Sequence, residues 1–378
     1  MPGIPCNRVQ VPGRMGVSKD LVACIIVEGG MEVATLKEMV AKATPEEWRT
    51  LYLACEQFKD LAPWDWMNDS QVIGVRDPES REIGWCVVLG NAREVFGLWV
   101  YRGAQGYAGY SLMCLGIEPE FDDIAKLDYL SLSFENRKEL DRTDLELIRQ
   151  SGLKPRGQHA WPLLRSKTPW RVPWRLNAPE VRYMVQVLGQ VSEKAIRIKE
   201  HPETPLVKGK KLLVREPELV DGELRWRDEW VEPALPEPER VAVILNVREV
   251  EGIRERARVT DETWEVDVFP LQAIIRDKGV PYYPMTLLVV NRGLPPIVHF
   301  MMVEPEPGGW QPLAESFVDG VGRAGRILRQ IRVARPEVAA MLSPICSALG
   351  VKMKQVERLT ALERVRDDLE EWSARRTR

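Results

Sequence analysis

Residues Trp264 to Trp372 constrain the fold of this chain more than any other stretch. Apolar runs at Trp264–Ile275, Tyr283–Val290 and Ile297–Val303 read as three consecutive strands. Asp277-Lys278-Gly279 and Asn291-Arg292-Gly293 supply the turns between them. Helical patterns at Trp310–Val321, Pro336–Ala348 and Ala361–Ala374 then alternate with strands at Ile327–Val333 and Val351–Val356. Pro336 suits a first helical position, and Gly350 suits a helix end. The order is β-β-β-α-β-α-β-α. A meander followed by right-handed crossovers predicts a mixed five-stranded sheet covered by helices.

Length and composition set the frame. A chain of 378 residues predicts two domains, and its 44% hydrophobic residues suffice for real cores. The fold class expected is α+β throughout. Val231–Arg240 (VEPALPEPER) reads as a proline-stiffened linker, with the boundary at 233–240. Residues 1–30 read as an irregular leader, 31–232 as a tryptophan-rich α+β domain, and 241–378 as the second domain. In the first of these domains Thr44-Pro45-Glu46-Glu47 is a capping box that opens a helix. Strands are expected at Val72–Val75, Ile83–Leu89, Val95–Tyr101 and Tyr129–Phe134. Helices are expected at Asp144–Gln150 and Pro179–Lys199. A hairpin should turn at Asp221-Gly222. Val241–Val247 reads as a further strand. Residues 72–150 repeat the order of three strands, helix, strand and helix, so a distant duplication is conceivable.

Net charge is −3, so no global field draws the protein to nucleic acid or anionic lipid. No apolar run approaches membrane-spanning length. Leu21–Val27 only imitates a signal peptide, because no cleavage pattern follows. The six cysteines are scattered without a CxxC, which points to a reducing cytoplasm. The three histidines, His159, His201 and His299, have no metal-ligand spacing. A triad could still assemble in space. Glu118, Glu120, Asp122 and Asp123 lack the pattern of a calcium loop and read as a solvated loop. No complete catalytic motif occurs.

The strongest local binding signal is Lys154–Arg175. Arg156, Arg165, Lys167, Arg171 and Arg175 interleave with Trp161, Trp170 and Trp174, and no acid interrupts them. Such a run can hold single-stranded nucleic acid by charge and stacking. The favoured reading is that the tryptophans anchor a proline-rich loop to the core, with the arginines stacked on them by cation–π packing. Trp64 and Trp66, which flank Asp65, are the tryptophans most expected at the surface.

The C-terminal third resembles the RNase H-like fold of integrase and transposase cores. The resemblance rests on Trp264-Glu265-Val266-Asp267, on the two long strands that follow, and on the alternating tail. It implies two divalent metals, Mg or Mn, shared by acids on the first strand, the fourth strand and the last helix. Asp267 matches the first acid. Glu363 and Asp367 are offered by the last helix, and Glu315 by the first. At the end of the fourth strand, however, the chain has Val333-Ala334-Arg335, and an arginine cannot ligate a cation. Trp48-Arg49-Thr50-Leu51-Tyr52 and Pro63-Trp64-Asp65-Trp66 are similar to a bacterial two-domain family of unknown function. The expectation is therefore a cytoplasmic, non-enzymatic protein without cofactor that binds a protein or single-stranded nucleic acid. The alternative is a metal-dependent nuclease or phosphodiesterase that uses Asp267, Glu315, Glu363 and Asp367.

Overall fold

The computed structural model describes residues 42–116, 119–237, 239–277, 279–293, 296–306 and 308–376. The leader at 1–30 and the run at Leu21–Val27 lie outside the described residues. The structure is mixed α and β. Among the described residues no helix is long and apolar enough to cross a membrane.

Helix α1 (Pro45–Leu61) starts at the expected capping box. Thr44 and Glu47 bond each other's backbone, and Trp48, Leu51, Tyr52, Cys55 and Phe58 form its buried stripe. Strands β1 (Val72–Arg76), β2 (Ile83–Leu89) and β3 (Gly97–Arg102) follow as a meander. Then come α2 (Gly103–Cys114), α3 (Phe121–Lys126), β4 (Tyr129–Glu135), α4 (Arg142–Ser151), β5 (Trp161–Lys167) and α5 (Ala178–Glu200). Strands β6 (Val207–Lys208), β7 (Lys211–Val220) and β8 (Glu223–Val231) complete an eight-stranded sheet. Its order is β5-β4-β3-β2-β1-β7-β6, with β8 also on β7. The β7–β8 hairpin turns at Asp221-Gly222, where both residues have positive φ, as a type I′ turn requires.

Alternation along the strands sorts two cores. Cys86, Val88, Leu98, Val100, Leu130 and Leu132 face α1, α4 and α5. Trp85, Val87, Tyr101 and Tyr129 face α2 and α3 in an aromatic cluster, where Trp99 stacks on Tyr129 at 4.6 Å. Gly97 marks the closest backbone approach, since a Cβ there would sit 2.0 Å from the Leu132 carbonyl oxygen. Gly97→Ala should therefore destabilise by about 1–3 kcal/mol in a thermal melt, because backbone cannot yield as a rotamer can. Trp64 is buried (6% exposed), against expectation. It fills the space between Phe58, Phe96 and Phe134.

The second sheet has the order β12-β11-β10-β14-β15. Its strands are β10 (Thr263–Pro270), β11 (Met285–Asn291), β12 (Ile297–Val303), β14 (Gln330–Val333) and β15 (Lys352–Gln355). Strands β10–β12 are antiparallel, whereas β14 runs parallel to β10 and β15 parallel to β14. The helices are α6 (Val247–Arg256), α7 (Trp310–Ala324), α8 (Pro336–Leu349) and α9 (Thr360–Arg376). Trp264, Val266 and Val268 pack against residues of α6, α7 and α8. Phe269, Leu288 and Val290 pack against Leu362, Val365 and Leu369 of α9.

Several expectations are corrected. Strand β10 stops at Pro270, because proline cannot continue the ladder. The Ile327–Val333 run splits, and Arg326–Ile327 (β13) pairs with Arg258–Val259 (β9) in a separate small sheet. Val241–Val247 is not a strand. Val241, Val243 and Leu245 lean on the core, but the side-chain amide of Gln311 takes the place of a neighbouring strand. It accepts from Ile244 N at 2.7 Å and donates to Ile244 O at 2.9 Å. The duplication fails on topology: β4 adds beside β3, whereas β14 adds beside β10. The acidic run is no solvated loop either, for α3 begins in it and Asp122 is buried.

Candidate functional site at the junction of the two sheets

Asp267 lies on the central strand β10. Period-two alternation points it toward α9, together with Glu265 and Phe269. It is 6% exposed. Arg335 stands two residues beyond β14, the parallel neighbour of β10. Its Nε donates to Asp267 Oδ2 at 3.2 Å and lies 3.1 Å from Oδ1. Its Nη2 donates to Asp122, in the first turn of α3. The other oxygen of Asp122 accepts from Arg366 Nη2 of α9 at 2.8 Å. The Arg366 guanidinium also sits 4.5 Å over the Phe269 ring. Two carboxylates and two guanidiniums thus form one mostly buried cluster, drawn from β10, the residues after β14, α3 and α9. Burial pushes the Asp267 carboxyl above its ordinary range, and Arg335 offsets this only in part. Burial also opposes the Arg335 charge, but Asp267 and Asp122 outweigh it and raise its pKa.

Glu265 has a role the sequence did not suggest. It is wholly buried, and its Oε2 accepts from Ala361 N at 2.8 Å and Leu362 N at 3.0 Å. A carboxylate at that helix N-terminus satisfies free amides and meets the positive end of the dipole. Alternation alone could have signalled it. Two acids two residues apart on a core strand share a face, so both need buried partners.

The other predicted acids are not gathered around Asp267. Glu315 is on α7, which covers the opposite face of the sheet, and it accepts from Gln311 at 2.7 Å. Glu363 pairs with Arg358 at 2.7 Å, and Asp367 is exposed. Among the described residues no three His, Cys, Asp or Glu side chains are grouped to hold a metal ion. A serine–histidine pair exists, His299 Nε2 lying 2.7 Å from Ser316 Oγ. Its Nδ1 faces Arg323 at 3.4 Å. A donor there favours the tautomer with the proton on Nε2, which does not suit the ring to take a proton from the serine.

The basic run Lys154–Arg175 is largely folded inward. Arg165 bonds Asp144 through both terminal nitrogens, at 3.0 and 2.6 Å. Arg175 pairs with Asp141 and lies 5.0 Å over the Trp174 ring. Arg171 binds Glu304 at 2.5 Å and covers Tyr282. Lys167 is 2% exposed and donates to the carbonyls of Ala125, Leu127 and Thr168. Burial lowers its pKa to about 8. Trp170 packs on the second core, and its backbone bonds Ala125 and Tyr283. Arg156 is exposed and Trp161 half-buried.

Residues 48–215 match the family described as a domain of unknown function, DUF7309. Residues 249–370 match a second domain of unknown function, DUF6930. Asp122 falls in the first match, while Asp267, Arg335 and Arg366 fall in the second. No curated protein matches the chain.

Proposed function

We propose that the C-terminal sheet is an RNase H-like domain whose metal position has become an ion-pair lock, and that the protein acts by binding rather than by catalysis. The strand order β12-β11-β10-β14-β15 supports the fold reading, with three parallel strands after an antiparallel meander. The observation that carries the functional reading is the bond from Arg335 to Asp267. In a two-metal site the neighbouring strand supplies a carboxylate that lets two cations approach. Here that neighbour supplies a guanidinium, and α9 adds a second one through Arg366. Two fixed positive charges repel a divalent cation and already pair with both acids. The two matched domains flank 233–240, which supports two domains joined by the proline-rich stretch. The lock then sets their mutual geometry.

Manganese titration followed by electron paramagnetic resonance tests this. The protein and Asp267→Asn should show the same weak, non-stoichiometric binding. Stoichiometric binding that Asp267→Asn abolishes would return the site to metal-dependent phosphodiester chemistry.

A further inference from the structure

A groove of ≈ 630 Å³ lies between α4, the chain that follows it, and the start of β5. Leu145, Ile148 and Leu153 give it an aliphatic floor. Arg137, Arg142, Arg149 and Lys154 line it with positive charge. All four are exposed. The carboxylate in the lining, Glu146, sits 3.3 Å from Arg142. The acids beside it are engaged elsewhere. Glu139 accepts from Asn136 N, Asp144 is held by Arg165, and Asp141 by Arg175. An overall anionic protein therefore carries a cationic rim around an apolar floor here.

We propose that this groove docks an acidic amphipathic helix of a partner protein. Its apolar side chains would fill the floor, and its carboxylates would meet the arginines and Lys154. Trp161 decides against a nucleic acid. Stacking needs an open aromatic face, and the Arg137 guanidinium already lies 5.7 Å over the Trp161 ring. The aliphatic floor offers bases neither stacking nor hydrogen bonds. This assignment goes beyond the ion-pair lock and does not depend on it.

Fluorescence anisotropy on the full chain tests it. The probe is a labelled peptide of about 15 residues, about 22 Å long as a helix. It carries Leu and Phe on one face and Glu on the other. Saturable binding should weaken about tenfold or more in Arg149→Glu/Lys154→Glu, and it should weaken with added salt. Arg240→Glu, an exposed charge reversal in the proline-rich stretch, should bind as the parent does. The proposal is overturned by absent saturation, by an equal loss in Arg240→Glu, or by an oligothymidylate binding more tightly than the peptide.

Discussion

Arg335→Ala should lower the unfolding free energy by about 3–5 kcal/mol at neutral pH, read from urea midpoints at unchanged slope. The side chains of Asp122, Asp267 and Arg335 are 11%, 8% and 24% exposed. Removing the cation between two such carboxylates leaves Asp267 without its bonded partner, while Arg366 still bonds Asp122 and acts on Asp267 only through space. In an Asp122→Asn/Asp267→Asn background the same substitution should cost far less, because no buried anion is left unpaired. The deficit should also depend on pH. Asp267 already has a folded pKa raised above its unfolded value, burial being the main cause. Loss of Arg335 raises it further. The folded state then holds that proton more tightly, so stability is present at low pH. It is lost as pH climbs from the unfolded value through the raised folded one. Below about pH 4 the deficit of Arg335→Ala should therefore shrink. A deficit under about 1 kcal/mol, or one flat with pH, would show that the cluster does not hold the junction.

Lys167 should give the fold a second, opposite slope. Burial disfavours its ammonium and lowers its pKa from 10.5 to about 8, although Asp128 pulls it the other way. Between those values the unfolded chain binds more protons than the folded one. Stability from this group therefore rises with pH across that window, by about 3 kcal/mol at most. Lys167→Met should abolish the rise. Buried tyrosines complicate the raw curve. The hydroxyl of Tyr129 is pushed up to about 12, so the folded state resists its ionisation and loses stability above about pH 10. The difference between parent and Lys167→Met isolates the lysine. Parallel curves would mean that the ammonium is solvated in the fold.

Local chemistry was legible wherever neighbours in sequence are neighbours in space. The capping box at Thr44 and Glu47, the turn at Asp221-Gly222 and the helix stop at Gly350 are decided within a few residues. The order of elements from Thr263 to Arg376 was legible for the same reason, as was the presence of Arg335 after β14. Val241–Val247 misled because alternation reports which residues are buried, not whether a second strand lies alongside. Lys154–Arg175 left a binding surface and an anchored loop both open, because its partners, Asp141, Asp144 and Glu304, lie elsewhere along the chain.

By itself the sequence determined the periods, caps and turns, and hence that β10, β14 and α9 occur in that order, although both strands are shorter than their apolar runs. Those features follow from backbone geometry and short-range burial. The tertiary structure alone decided what Asp267 faces. Asp122 is 145 residues away in sequence (267 − 122), and Arg366 is 99 (366 − 267). They meet because burying an uncompensated carboxylate costs more than bringing distant arginines to it.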